Sequence, residues 1–75
     1  MSVLVKNHDG ATYVLAVNAS PEKVRARLFA SVPDGVGEAL WENRRITASG
    51  GAFEDDFKGF GVHVYRFGRK PFPAF

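Results

Sequence analysis

The chain has no cysteine, one methionine and one tryptophan among its 75 residues. Without thiols there is no disulfide framework and no thiolate metal site. A chain this short buries only about 60% of the surface its unfolded form exposes. It must therefore hold by packing, within itself or against a neighbour. Long apolar runs are also missing: the longest is five residues, Tyr13 to Val17, against the ~20 that a membrane-spanning helix needs. No block of like charge occurs. Ten basic and eight acidic residues leave a net charge of +2. The two signs are interspersed, so no nucleic-acid or membrane partner is expected. Met1 and Ser2 lead directly into a strand-like run, with no basic segment before an apolar one, so no signal peptide is expected.

Large rings, by contrast, are plentiful: seven Phe, two Tyr and the single Trp. Period two dominates the chain. Val3 to Lys6 alternates as a strand. Asn7-His8-Asp9-Gly10 follows, and Asp-Gly between apolar runs signals a hairpin, because a primed turn needs residues that tolerate positive φ. Ala11 to Asn18 is the clearest strand, with Tyr13, Leu15 and Val17 on one face and Thr12, Val14, Ala16 and Asn18 on the other. Ser20 and Pro21 break it. Lys23 to Val32 fits a strand over eight consecutive positions. A helix capped by Ser20, with Pro21 in its first turn, is the alternative; the alternation favours the strand. Pro33 to Gly37 reads as a turn, Glu38 to Arg44 as a strand continued by Ile46 to Ala48, and Ser49-Gly50-Gly51 as a turn. Ala52 to Phe57 alternates less regularly. Lys58 to Gly61 is a loop, Val62 to Phe67 a strong strand, and 69–75 an extended tail. The expected fold is all-β, a small antiparallel β-sandwich of six or seven short strands over residues 1–68.

Candidate chemistry is sparse. Glu54-Asp55-Asp56 could offer oxygens to calcium, but consecutive strand residues point to opposite faces, so the run reads as a solvated loop or strand end. No metal site and no cofactor is expected. His8, His63 and Ser20, Ser31 and Ser49 form no spaced catalytic signature, and paired carboxylates would need a cleft; no catalytic residue is assigned. Lys58-Gly59-Phe60-Gly61 leading to Tyr65 is similar to the aromatic signature of RNA-recognition motifs and to the cold-shock domain, where aromatics stack on bases. The helices of the first are missing and the position is wrong for the second. Trp41, Tyr13, Tyr65 and Phe60 are candidates for a sugar-stacking platform, Trp41 and Tyr13 foremost, with core packing as the competing role.

Three segments in order resemble the C-terminal all-β domains of (β/α)8-barrel glycoside hydrolases. Tyr13-Val14-Leu15-Ala16-Val17-Asn18 with Ser20-Pro21 is similar to their "yvlavN-x-s" strand and turn. Ala39-Leu40-Trp41-Glu42-Asn43-Arg44 is similar to "vlfEnR". Phe53 to Phe57, leading into Gly61 to Phe67, is similar to the closing "F-x-D-x-F…ygVHvYrf". The resemblance implies a non-catalytic accessory module, excised from the C-terminal end of a parent hydrolase, that packs on the catalytic (β/α)8 barrel. In such enzymes the reacting carboxylates lie on the barrel, and polysaccharide is a second partner in some. A carbohydrate-binding module and a single-stranded nucleic-acid binder remain the alternatives. A secreted parent would place the module outside the cell or in the periplasm.

The closing strand carries apolar groups on both faces, Val62 and Val64 on one, His63, Tyr65 and Phe67 on the other. One face should pack inside the sandwich and the other against a partner, leaving an exposed apolar patch on the order of several hundred Å². Phe57, Phe60, His63, Tyr65 and Phe67 are the expected interface residues.

Overall fold

In a computed structural model, which describes residues 1–68, the chain is all-β. The tail expected over 69–75 lies outside the described residues. The strands are β1 (Ser2–His8), β2 (Ala11–Val17), β3 (Val24–Phe29), β4 (Gly35–Ala39), β5 (Arg44–Ala48), β6 (Ala52–Phe57) and β7 (Val62–Gly68). Two antiparallel sheets form, one of five strands in the order β1-β2-β7-β4-β5 and one of two strands, β3-β6. The small sheet lies over the large one, as expected for a small sandwich.

Local chemistry accounts for most of these elements. Asp9 and Gly10 take φ of 51° and 80°, the left-handed pair that a two-residue primed turn requires. The hairpin then pairs β1 with β2 over seven positions without a bulge. The segment around Val24 is a strand, not the alternative helix. Its odd positions carry the reason: Arg25 and Arg27 stand directly opposite Asp56 and Glu54 of β6, with nitrogen-to-oxygen distances of 2.9 Å in both pairs. Opposite charges at facing positions favour that pairing. Val24, Ala26 and Leu28 point inward against the core.

The segment from Pro33 to Arg44 departs from the sequence expectation. β4 begins inside the expected turn, at Gly35, and the expected strand Glu38 to Arg44 is broken by a turn over residues 40–43. Trp41 and Asn43 take φ of 63° and 56° there, which reverses the chain. Ala39 and Arg44 face each other across the new hairpin, so the inward positions shift from odd numbers in β4 to even numbers in β5. Gly37 pairs with Ile46 inside the strand, and the position takes glycine because a Cβ there would overlap the Phe67 ring and sit 2.6 Å from the Arg66 carbonyl oxygen.

The core joins Val14, Leu28, Ile46, Phe53, Phe57, Tyr65 and Phe67. Phe53 packs edge-on to Tyr65 at 4.7 Å between centroids, and against Phe67 at 4.9 Å. Asn18, buried at the end of β2, ties two loops to this core. Its side-chain amide donates to the carbonyls of Glu22 and Lys58 at 2.8 and 2.9 Å, and its Oδ1 accepts from the Ser20 amide at 3.1 Å. Asn18→Ala would remove the partner of two carbonyls and one amide at once. Its expected cost is about 2–3 kcal/mol, read as a lower urea midpoint with an unchanged slope.

Candidate functional site

Two features stand out from the sandwich. One is a polar cluster inside it; the other is the outer face of the five-stranded sheet.

The cluster grows from two inward-facing charges. Arg44 shares the inner side of β5 with Ile46 and Ala48, and Asp55 shares the inner side of β6 with Phe53 and Phe57. Asp55 is only 6% exposed. Its carboxylate takes a two-pronged contact from the Arg44 guanidinium, Nη1 to Oδ1 at 3.1 Å and Nη2 to Oδ2 at 2.9 Å. The Tyr65 hydroxyl donates to Oδ2 at 2.7 Å, and the Asp56 amide donates to Oδ1 at 2.9 Å. Glu42, from the β4–β5 turn, accepts from Arg44 Nε and Nη2 at 3.1 and 2.9 Å and meets His63 Nδ1. His63 Nε2 lies 3.0 Å from the Asp56 carbonyl oxygen. Both ring nitrogens thus face oxygen atoms.

Burial alone would raise the Asp55 carboxyl, but the hydrogen bonds from Arg44, Tyr65 and the Asp56 amide outweigh it and hold the group below the ordinary carboxylate range. Glu42 is likewise held low: burial pushes it up, and His63 and Arg44 pull it further down. Burial and the neighbouring Asp55 charge push the Tyr65 phenol well up, so it stays a donor. A catalytic carboxyl pair needs one member poised to hold a proton near working pH and a free lone pair for substrate. Here both carboxylates are ionised, and the acceptor oxygens of Asp55 are each doubly occupied. The cluster can cross-link the sheets; it offers no free nucleophile. Among the described residues, no group of three acidic, histidine or cysteine side chains could hold a metal ion.

The reading of Glu54-Asp55-Asp56 as a solvated loop or strand end is corrected for Asp55. All three lie inside β6, where Glu54 and Asp56 pair outward with arginines and Asp55 turns in. The interface residues need correction as well. Phe57, Tyr65 and Phe67 are 2%, 0% and 2% exposed, and His63 is mostly enclosed, because the face of β7 that bears His63, Tyr65 and Phe67 is the one turned toward β3 and β6. They are core and cannot form an exposed flank, nor can Tyr65 stack on bases. Phe60 is exposed, alone of the five.

The exposed side of β7 is the other one. Register aligns Leu4 of β1, Leu15 of β2 and Val64 of β7 in a row across three strands, with Val17 beside Val62 in the next row. Leu4, Leu15 and Val62 are exposed, and Val17 and Val64 half-buried. The outer face of the large sheet therefore carries a continuous aliphatic strip, bordered by Arg66 and its partner Glu38. Sequence reasoning missed both the strip and the Arg44–Asp55 pair; the signals that could have found them are the Asp9-Gly10 hairpin, which sets Leu4 opposite Leu15, and opposite charges at inward positions of separate strands.

The candidate sugar-stacking residues do not come together. Tyr13 is half-buried on the outer face of β2, whereas Trp41 stands 86% exposed on the β4–β5 turn, and β7 separates β2 from β4. A groove beside Trp41 is lined by Glu38, Leu40, Asn43 and Arg45.

Compared with known proteins, the chain matches no family model, no curated protein and no solved structure.

Proposed function

We propose that the chain is a non-catalytic β-sandwich module of a glycoside hydrolase, packed on the (β/α)8-barrel domain of that enzyme through the outer face of its five-stranded sheet. The observation that carries this reading is the strip formed by Leu4, Leu15, Val17, Val62 and Val64. A sheet face left in water alternates toward polar residues, and a contiguous aliphatic surface in their place marks a contact. The saturation of Asp55 and Glu42 supports a module without chemistry of its own. The sequence resemblance names the partner.

The test begins with the reading frame encoding the chain. An adjoining segment of about 250 residues with alternating strand and helix patterns supplies the barrel, and titration calorimetry then measures its binding to this chain. Leu15→Lys with Val62→Lys, both at exposed positions, should weaken binding at least about tenfold without lowering the melting temperature. Absence of a barrel, or binding indifferent to the two lysines, contradicts the reading.

Trp41 favours a second reading, a carbohydrate-binding module. An exposed indole in left-handed backbone is strained by about 1 kcal/mol where glycine would be free, and strain kept without packing points to use. Trp41→Gly should leave stability equal or up to about 1 kcal/mol higher. If this reading holds, the substitution also abolishes oligosaccharide binding measured by titration calorimetry. Wild-type fluorescence that ignores soluble oligosaccharides eliminates it.

A further inference from the structure

The free edge of the large sheet is as informative as its face. Among the described residues, β1 is the terminal strand, paired with β2 on one side only, and all seven of its residues are exposed. Natural edge strands are guarded by proline, bulges, multiple lysines or short length. β1 has seven paired residues, no bulge and a single lysine, Lys6. The two-stranded sheet β3-β6 stops short of it, so Val3 and Val5 on its inner side are each 41% exposed, and Leu4 on its outer side 63%.

From this edge we infer that the chain forms a two-fold dimer by antiparallel pairing of β1 with β1 of a second copy, centred on Leu4. The sequence of the strand is what selects a second copy as the occupant. With Leu4 on the axis, Val3 faces Val5 of the other chain twice, and Ser2 faces Lys6 twice. Every apolar residue meets an apolar one, β-branched pairs meet at adjacent positions, and no like charges oppose each other. Moving the axis to Val5 would set Leu4 against Lys6 and lose that match; side-chain direction makes register strict wherever one side is buried. The two small sheets then lie on the same side of a ten-stranded sheet, and the four valines cover one another where β3-β6 does not reach. The isologous contact closes on itself, as a two-fold requires.

Val3 and Val5 project from the side of β1 opposite to Leu4 and Leu15, so this contact and barrel docking can be tested separately. Sedimentation equilibrium of the 75-residue chain should show a monomer–dimer mixture in the micromolar range. Val3→Lys with Val5→Lys puts lysine against lysine at both pairs. It should weaken association at least about 30-fold, with an unchanged far-UV circular dichroism spectrum. Val3→Lys with Val5→Glu sets opposite charges face to face in the same register and should restore the dimer. A wild-type chain that stays monomeric at several hundred micromolar overturns the inference, including one that accepts an added extended peptide instead. So does a dimer that survives the two lysines, or one that the lysine–glutamate variant fails to recover.

Discussion

Arg44→Leu is expected to lower the melting temperature by about 15–30 °C, the largest effect of any single substitution considered for this chain. The guanidinium supplies two of the four hydrogen bonds that hold the Asp55 carboxylate in the core. Removing it leaves a nearly enclosed charge with only Tyr65 and one amide as donors. Breaking a buried pair from one side costs about 3–5 kcal/mol, and a domain of this size has on the order of 5 kcal/mol in total. Most of the population should therefore unfold near or below body temperature, read by the far-UV circular dichroism melt. Adding Asp55→Leu and Tyr65→Phe to Arg44→Leu should recover most of the loss, because an apolar set can replace a buried ionic one at little net cost. A shift of less than about 3 °C for the single variant would mean that the cluster contributes no net stability.

Acid should act on the same cluster. Asp55 and Glu42 both have folded-state values below the ordinary carboxylate range. As pH falls through about 4, the unfolded chain takes up those protons first, so the unfolded state gains and the native state loses. Stability is thus fully present above that range and is lost as pH drops through the depressed native values. The melting temperature is expected to fall by about 10 °C or more between pH 5 and pH 2.5. In Arg44→Leu the sign should reverse. Without the guanidinium, the dominant influence left on Asp55 is burial, which raises a carboxyl. That variant should be more stable at pH 3.5 than at pH 7, a crossing that a general acid sensitivity would not produce.

The strands were legible where one rule governed them. β2 and β7 read as strands because they are short β-branched and aromatic runs bounded by turn residues, and Asp9-Gly10 fixes a hairpin whatever surrounds it. The break at residues 40–43 was not legible, because the left-handed residues that make it are Trp41 and Asn43, neither a glycine. The inner and outer sides of β7 could not be ranked from sequence: both are apolar, and aromatic size suggested the docking side when it in fact marks the side that fills the core. Buried rings such as Phe57, Tyr65 and Phe67 are what a two-layer sandwich of this length needs inside it; the smaller Val62 and Val64 are left facing out. Asp55 was hidden by its neighbours. Three acidic residues in a row look solvated, and only the inward-facing Arg44 on another strand distinguishes the middle one.

The most direct test of docking through the aliphatic face is methyl NMR of this chain titrated with the barrel domain proposed as its partner. The expected result is selective shifting or broadening of Leu4, Leu15, Val17, Val62 and Val64, with the methyls of Leu28 and Ile46 unmoved. Saturating barrel that leaves those five methyls unchanged, or that perturbs only the Trp41 turn, would contradict it.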